Sequence, residues 1–247
     1  MQLGFFISGV GGQMAQYKLD NISHNLANAN TVGYMEDRAA FSSFMSSELG
    51  REGAPEQTSS AFLSMNKQYV STESGTIRHT GNGLDFAIRG NGYFRVRADD
   101  GQEVLTRAGN FKLDADGNLL TQGGQPVLDQ GGSPIVLPRG EISATDNGTI
   151  YVNGEPAADL GIATIKDTRR IQKLAGVLLR TPADNIGEPD KGVAVVQGSL
   201  QDSNVNSILA MAQMVDTMRG YQSMMKVVEQ YNQQAGLLND KVGVVQG

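Results

Sequence analysis

Fifteen of the 31 glycines in this 247-residue chain fall between Gly75 and Gly154, about a third of its length. That density constrains the fold more than any other feature. Gly disfavours a helix interior by about 1 kcal/mol relative to Ala, and it supplies the positive φ that tight turns require. The turn signals "TGNGLD", "RGNGYF", "ADDGQ", "DADGN", "TDNGT" and "VNGEP" follow one another at short spacing, and Asn-Gly or Asp-Gly between apolar alternations is a hairpin signature. Period-two segments lie between them. Leu84, Phe86 and Ile88 alternate, and Phe94, Val96 and Ala98 stand opposite Tyr93, Arg95 and Arg97. The pattern predicts an antiparallel β-domain with one buried face over residues 76–200, extended by "TIYV", "LGIATIK" and "GVAVVQG".

The two ends read as helices. Leu3, Ile7, Val10, Met14 and Tyr17 recur at steps of three and four, and Leu19, Ile22 and Leu26 continue on an adjacent stripe. Met211, Met214, Met218, Tyr221, Met225 and Val228 do the same near the other end, after "SNVN", where Ser203 or Asn204 is the expected N-cap. The fold class is therefore mainly β with helical termini: a Gly-rich antiparallel β-domain plus paired N- and C-terminal α-helices in a discontinuous, coiled-coil-like domain. The expected divisions are 1–36, an N-terminal helical segment; 37–75, an extended connection; 76–200, the β-domain; and 201–247, the C-terminal helix.

Burial arithmetic points outward from the N-terminal helix. Seven buried apolar side chains contribute roughly 10 to 20 kcal/mol, whereas ordering some 25 residues costs about 1 to 2 kcal/mol apiece. Lys18 and Asp20 are the only charged side chains in the first 35 residues, so the helix has no solvated face. It is expected to become firm only when packed on several sides by other subunits. The stretch "DNISHNLANANTVGY" adds four amides, Asn21, Asn25, Asn28 and Asn30, with no charge after Asp20. Amides at an interface form hydrogen bonds without the desolvation cost of ions. The expected subunit interface is Leu3, Ile7, Val10, Met14, Ile22, Asn25, Leu26, Asn28 and Asn30 from one end, with Val205, Ile208, Met211, Met218 and Met225 from the other.

Other classes of function find little support. There is no Cys, so no thiolate nucleophile or Cys-based zinc site. A net charge of −6 without a basic cluster argues against nucleic acid as a partner. His24 and His79 have no ligand-spaced companions, and "DADGN" places its Gly fourth where a calcium loop needs it sixth. No catalytic, cofactor-binding or metal residue is assigned, no cofactor and no small-molecule substrate are expected, and replacing Asp114 and Asp116 should affect no turnover. No run of residues approaches a membrane span. A basic leader region is missing before "LGFFISGV", so export is expected without a cleaved signal peptide.

Four segments together resemble a known family. "ISHNLANANTVGY" is similar to the N-terminal signature of the flagellar rod and hook axial proteins, with His24 in place of the first Asn of the usual pair. "TGNGLDFAIRGNGYFRV", "LTRAGNFKLDADGNLLTQGGQPVL" and "QGSLQDSNVN" resemble the family's other signatures in the same order, with Gln201 where the family often has Glu. Length, "YMEDRAAF" and "LGIATIKDTRRIQKLAGVLLRTP" favour the proximal rod type, with a distal rod or hook-type subunit as the alternative. The resemblance implies a structural subunit of the basal-body rod in the periplasm, secreted by the flagellar type III export apparatus. It also implies terminal helices inside, the β-domain outside, and as partners copies of itself and other rod proteins. A glycan- or matrix-binding β-domain is the rival from another class; it would keep its ligand after both ends were deleted.

Overall fold

The structure, a computed structural model, describes residues 2–46, 60–174, 176–190 and 192–243, with side chains described in 9–39, 69–174, 176–190 and 192–234. The chain divides into two compact units, one of Met1–Leu26, Arg38–Gln68 and Ser207–Gly247, the other of Ala27–Asp37 and Tyr69–Asn206.

The second unit is built on a six-stranded antiparallel sheet in the order Gln172–Lys173, Leu178–Arg180, Glu103–Thr106, Tyr93–Arg97, Ile162–Ile165, Ile186–Gly187. Its centre is the hairpin predicted around "ADDGQ", with Phe94 opposite Thr106 and Val96 opposite Val104. A three-stranded sheet of Ile142–Ala144, Thr149–Val152 and Glu155–Asp159 lies in the same unit. Its second hairpin turns at Asn153 (φ +54) and Gly154 (φ +87), two successive left-handed residues as a type I′ turn demands. "TIYV", "LGIATIK" and "GVAVVQG" each contribute the strand they predict: Thr149–Val152, Ile162–Ile165 and Ala194–Gln197.

The expectation of one buried face needs correction, because the large sheet is covered on both. Phe94, Val96, Val104 and Ile162 face a cluster completed by Phe86, Phe111, Leu119, Val127, Ile150 and Leu160. Tyr93, Leu105, Ala163, Ile165 and Leu179 point the other way, into a second cluster with Met35, Val70 and Ile171. Met35 and Val70 come from the segments that flank the β-domain in sequence, and they shield a face whose arginines made it look solvated. Arg95 remains on that face at the rim, held by two hydrogen bonds to Glu103 at 2.6 and 2.7 Å.

The first unit holds both long helices, α1 (Gln2–Ala27) and α2 (Ser207–Gly243). Residues 37–75, read as an extended connection, contain two strands, Asp37–Ser46 and Ser60–Val70, which pair as a two-stranded sheet. The α1 glycines let the helices approach. A Cβ at Gly11 would stand 2.9 Å from Met224 Sδ, and one at Gly12 3.8 Å from Met225 Sδ. α2 begins at Ser207, three residues after Asn204. Neither Ser203 nor Asn204 is therefore its N-cap. Ser203 Oγ instead accepts from Val205 N–H, and Asn204 has a longer-range task. Among the described residues no helix is long and apolar enough to cross a membrane.

Candidate assembly interface and its anchor

The single apolar stripe read along α2 separates into two rows. Ala210, Met214, Thr217, Tyr221, Val228 and Tyr231 are buried or half-buried, at steps of four, three, four, seven and three. One position round the helix, Ile208, Met211, Val215, Met218 and Met225 are exposed by 81%, 54%, 51%, 51% and 43%. Their steps of three, four, three and seven are those of a heptad seam. Five large apolar side chains in water along one line of a helix form a patch of the kind that marks a protein–protein surface.

In the other unit, the "NANTVGY" stretch is bound into the β-domain by backbone geometry. Asn28 O accepts from Thr31 N–H at 3.1 Å, its side-chain oxygen accepts from Thr31 Oγ at 3.2 Å, and Thr31 O accepts from Tyr34 N–H. The doubled turn presents Gly33, at φ +67, to the adjoining strand, where its N–H donates to Gln201 O at 2.8 Å. The fit is close enough that a Cβ at Gly33 would lie 2.2 Å from Ala108 N. Asn204 fixes the same region from the other side. Its side-chain oxygen accepts from Glu36 N–H at 2.7 Å, while its amide donates to Ser71 O and Glu73 O at 3.2 and 2.9 Å.

Two cations, Arg107 fully buried and Lys173 largely covered, complete this anchor. Arg107 lies over the Tyr93 ring, 4.8 Å from its centre, and donates to Ile88 O, Gly90 O and Gln201 Oε1 at 3.2, 2.8 and 3.1 Å. Burial holds its pKa below the usual guanidinium value. Gln201 is itself buried, in the strand Ser199–Gln201 and not at the start of the C-terminal helix. Lys173 donates to Met35 O at 2.6 Å and Asp37 Oδ2 at 3.0 Å and covers the Tyr34 ring, whose hydroxyl donates to the same Asp37 oxygen at 3.2 Å. The segments leading from α1 and into α2 are thereby joined within one unit, with Asn204 N–H donating to Tyr34 O.

Residues 87–154 match the family model described as the flagellar hook protein FlgE/F/G D1 domain, and residues 196–240 match that of the flagellar basal body rod FlgEFG protein C-terminal region. The flagellar basal-body rod protein FlgF of Rhizobium meliloti is 33% identical over 225 residues, 90% of either chain. FlgF of Mesorhizobium japonicum is 33% identical over 236 residues, 93% of either chain. The chain belongs to the flagellar basal-body rod protein family. Within it, FlgG of Bacillus subtilis is also 33% identical, over 90% of this chain and 92% of that one.

In this rod protein the sequence-predicted interface residues differ in exposure. Ile208, Met211, Met218 and Met225 are exposed and Val205 is half-buried. Ile22 and Asn25 are already buried within the chain, Val10, Met14, Leu26 and Asn28 are half-buried, and Asn30 is exposed. The side chains of Leu3 and Ile7 lie outside the described residues. Asn25 donates to Asn21 Oδ1 at 3.2 Å, so part of the amide run is spent along its own helix. Val215 belongs to the exposed row at the step of four from Met211. Asp114 turns out to organise a loop, accepting from Asp116 N–H, Asn118 N–H and Asn118 Nδ2 at 3.0, 2.8 and 2.7 Å.

The Tyr34 site gives the rod protein an alkaline limit. Burial first, then the Asp37 carboxylate, push the Tyr34 hydroxyl well above its ordinary value. A folded-state pKa above the unfolded one means that the folded state keeps a proton the unfolded state has lost. The contribution is present below about pH 10 and disappears as pH rises toward the folded value, at up to about 1.4 kcal/mol per pH unit. Lys173, lowered by burial, acts in the opposite sense just below its ordinary value, and Tyr93 adds to the alkaline loss. Urea unfolding between pH 9 and about 11.5 is expected to show a falling midpoint, with a shallower fall for Tyr34→Phe. Parallel slopes for the two proteins would contradict this assignment.

Proposed function

We propose that the chain is a structural subunit of the proximal flagellar rod, assembling through its terminal helices and carrying torque across the periplasm. The observation that carries the reading is the exposed heptad row Ile208, Met211, Val215, Met218 and Met225 on a helix of 37 residues. A helix of that length spans about 55 Å. Burying a half-exposed Met or Ile contributes on the order of 1 kcal/mol, so one row becomes effective when many subunits repeat it. Head-to-tail contacts that do not close produce a helical filament. Twisting one subunit against the next would then strain all such contacts together, which is what a drive shaft requires.

In this reading α1 and α2 form the inner, coiled-coil-like layer of the rod, while residues 27–37 and 201–206 belong with the β-domain of 76–200. The interface is completed by Val10, Met14, Leu26, Asn28, Asn30 and Val205, with Leu3 and Ile7 further along α1, whereas Ile22 and Asn25 are already covered within the chain. Partners are copies of itself and other rod proteins, after delivery by the type III export apparatus, and the role is mechanical without catalysis. The test is Met211→Glu/Met218→Glu/Met225→Glu in the full chain, followed by sedimentation over a range of concentrations. Three carboxylates in the seam are expected to weaken self-association at least tenfold. The urea midpoint should change little, because Met211 and Met218 are half exposed in the single chain and Met225 is exposed by 43%, with only its sulfur near α1 at Gly12. Unaltered association of the triple variant would remove the basis for this reading.

A further inference from the structure

Five of the ten methionines lie within residues 211–225, in a chain that contains no Cys. We propose that this methionine cluster is an oxidation site, reversibly converted to sulfoxide by peroxide in the unassembled subunit, and that the conversion blocks assembly. The proposal rests on the reading of the α2 row as the seam between subunits.

Three observations carry it. Met211, Met218 and Met225 are exposed on α2, so their thioethers are open to a small oxidant before the seam is covered. Reaction with hydrogen peroxide needs no other participant. The sulfur lone pair attacks one peroxide oxygen, the O–O bond breaks, and the departing hydroxide takes the proton of the transferred hydroxyl. Sulfoxide and one water result, the sulfur having lost two electrons and the peroxide having gained them. With no thiol in the sequence, thioethers are the sulfur groups available to such an oxidant.

Geometry gives the modification a consequence. An apolar, flexible side chain becomes a polar one in a row whose only adhesive property is apolar surface. Met224 and Met225 carry their sulfurs against the part of α1 where side chains are absent, 2.9 and 3.8 Å from the Cβ positions of Gly11 and Gly12. An added oxygen there reaches toward helix backbone whose groups are already engaged in the helix. Met35, buried in the β-domain, supplies an internal comparison.

The full chain would be exposed to millimolar hydrogen peroxide, its sulfoxides located by peptide mass spectrometry, and its self-association measured by sedimentation. Expected are sulfoxide at positions 211, 218 and 225 before position 35, a loss of association of at least tenfold, and its recovery after treatment with the two methionine sulfoxide reductases and a dithiol, which is oxidised to its disulfide as the sulfoxide oxygen leaves as water. In Met211→Leu/Met218→Leu/Met225→Leu the ratio of association before and after peroxide should fall close to one. Sulfoxide at all three positions with undiminished association would overturn the switch, and so would a loss that outlasts enzymatic reduction. The triple Glu variant separates the two ideas. If it weakens association while sulfoxide does not, the seam stands and the switch falls; if neither has an effect, the seam itself is wrong.

Discussion

Gly33→Ala is expected to lower the unfolding free energy of the β-domain by about 3 to 5 kcal/mol, from two additive causes. Gly33 occupies φ +67, where an L side chain is strained, and the new Cβ would stand 2.2 Å from Ala108 N and 2.4 Å from Arg107 C. Neither atom can give way easily. Both are backbone, next to the Arg107 side chain that ties the strands Phe86–Arg89 and Ser199–Gln201 together through Ile88 O and Gln201 Oε1. Gly81→Ala isolates the first cause, because Gly81 has φ +76 with nothing within 4 Å of its Cβ position. That variant is expected to lose only about 1 kcal/mol. Urea unfolding of both full-length variants, followed by tyrosine fluorescence, supplies the comparison. Equal losses would mean that the packing of the Asn-rich segment on residues 107 and 108 is looser than the distances imply.

The contrast between those two glycines shows how far the sequence could be read. Turn chemistry is local, and so Asn153-Gly154 and Asp100-Gly101 announced their hairpins. The strands between them followed from alternation, since a two-residue period sends successive side chains to opposite faces. What alternation could not show was the cover on the opposite face, because Met35 and Val70 lie far from Tyr93 in sequence. Arg107 gave no sign either. In "LTRAGN" it reads as a solvated turn residue, and only the convergence of Ile88 O, Gly90 O and Gln201 makes it a buried one. The N-cap reading of Asn204 failed for a related reason, as its side chain is occupied by Glu36, Ser71 and Glu73. On α2 the steps of three and four were legible, but not their division into two rows. Met211 and Met214 both fit steps of three and four, and three-dimensional packing alone leaves one exposed and the other half-buried.

Position 201 offers the second large effect, and its sign depends on what replaces Gln. Gln201→Leu removes the Oε1 acceptor of Arg107 and leaves a buried guanidinium with carbonyl partners alone, at a cost of about 2 to 4 kcal/mol. Gln201→Glu, the residue that the family resemblance favours here, places a carboxylate beside a cation that is already desolvated. Because the cation's burial is common to both proteins, the added attraction has to outweigh only the desolvation of one carboxylate, and a gain of about 1 kcal/mol at pH 7 is expected. The gain should depend on pH in a defined direction. The guanidinium lowers the carboxyl pKa in the folded state, so the stabilisation is present above the unfolded value of about 4.3 and is lost as pH falls through the folded one. Urea midpoints at pH 7 and pH 3 are therefore expected to rank Glu above Gln above Leu at the higher pH, with the Glu advantage gone at the lower. A Leu variant as stable as the unaltered chain would show that Arg107 escapes to solvent. The anchor joining residues 33–36 to 199–204 would then rest on Gly33 and Asn204 without it.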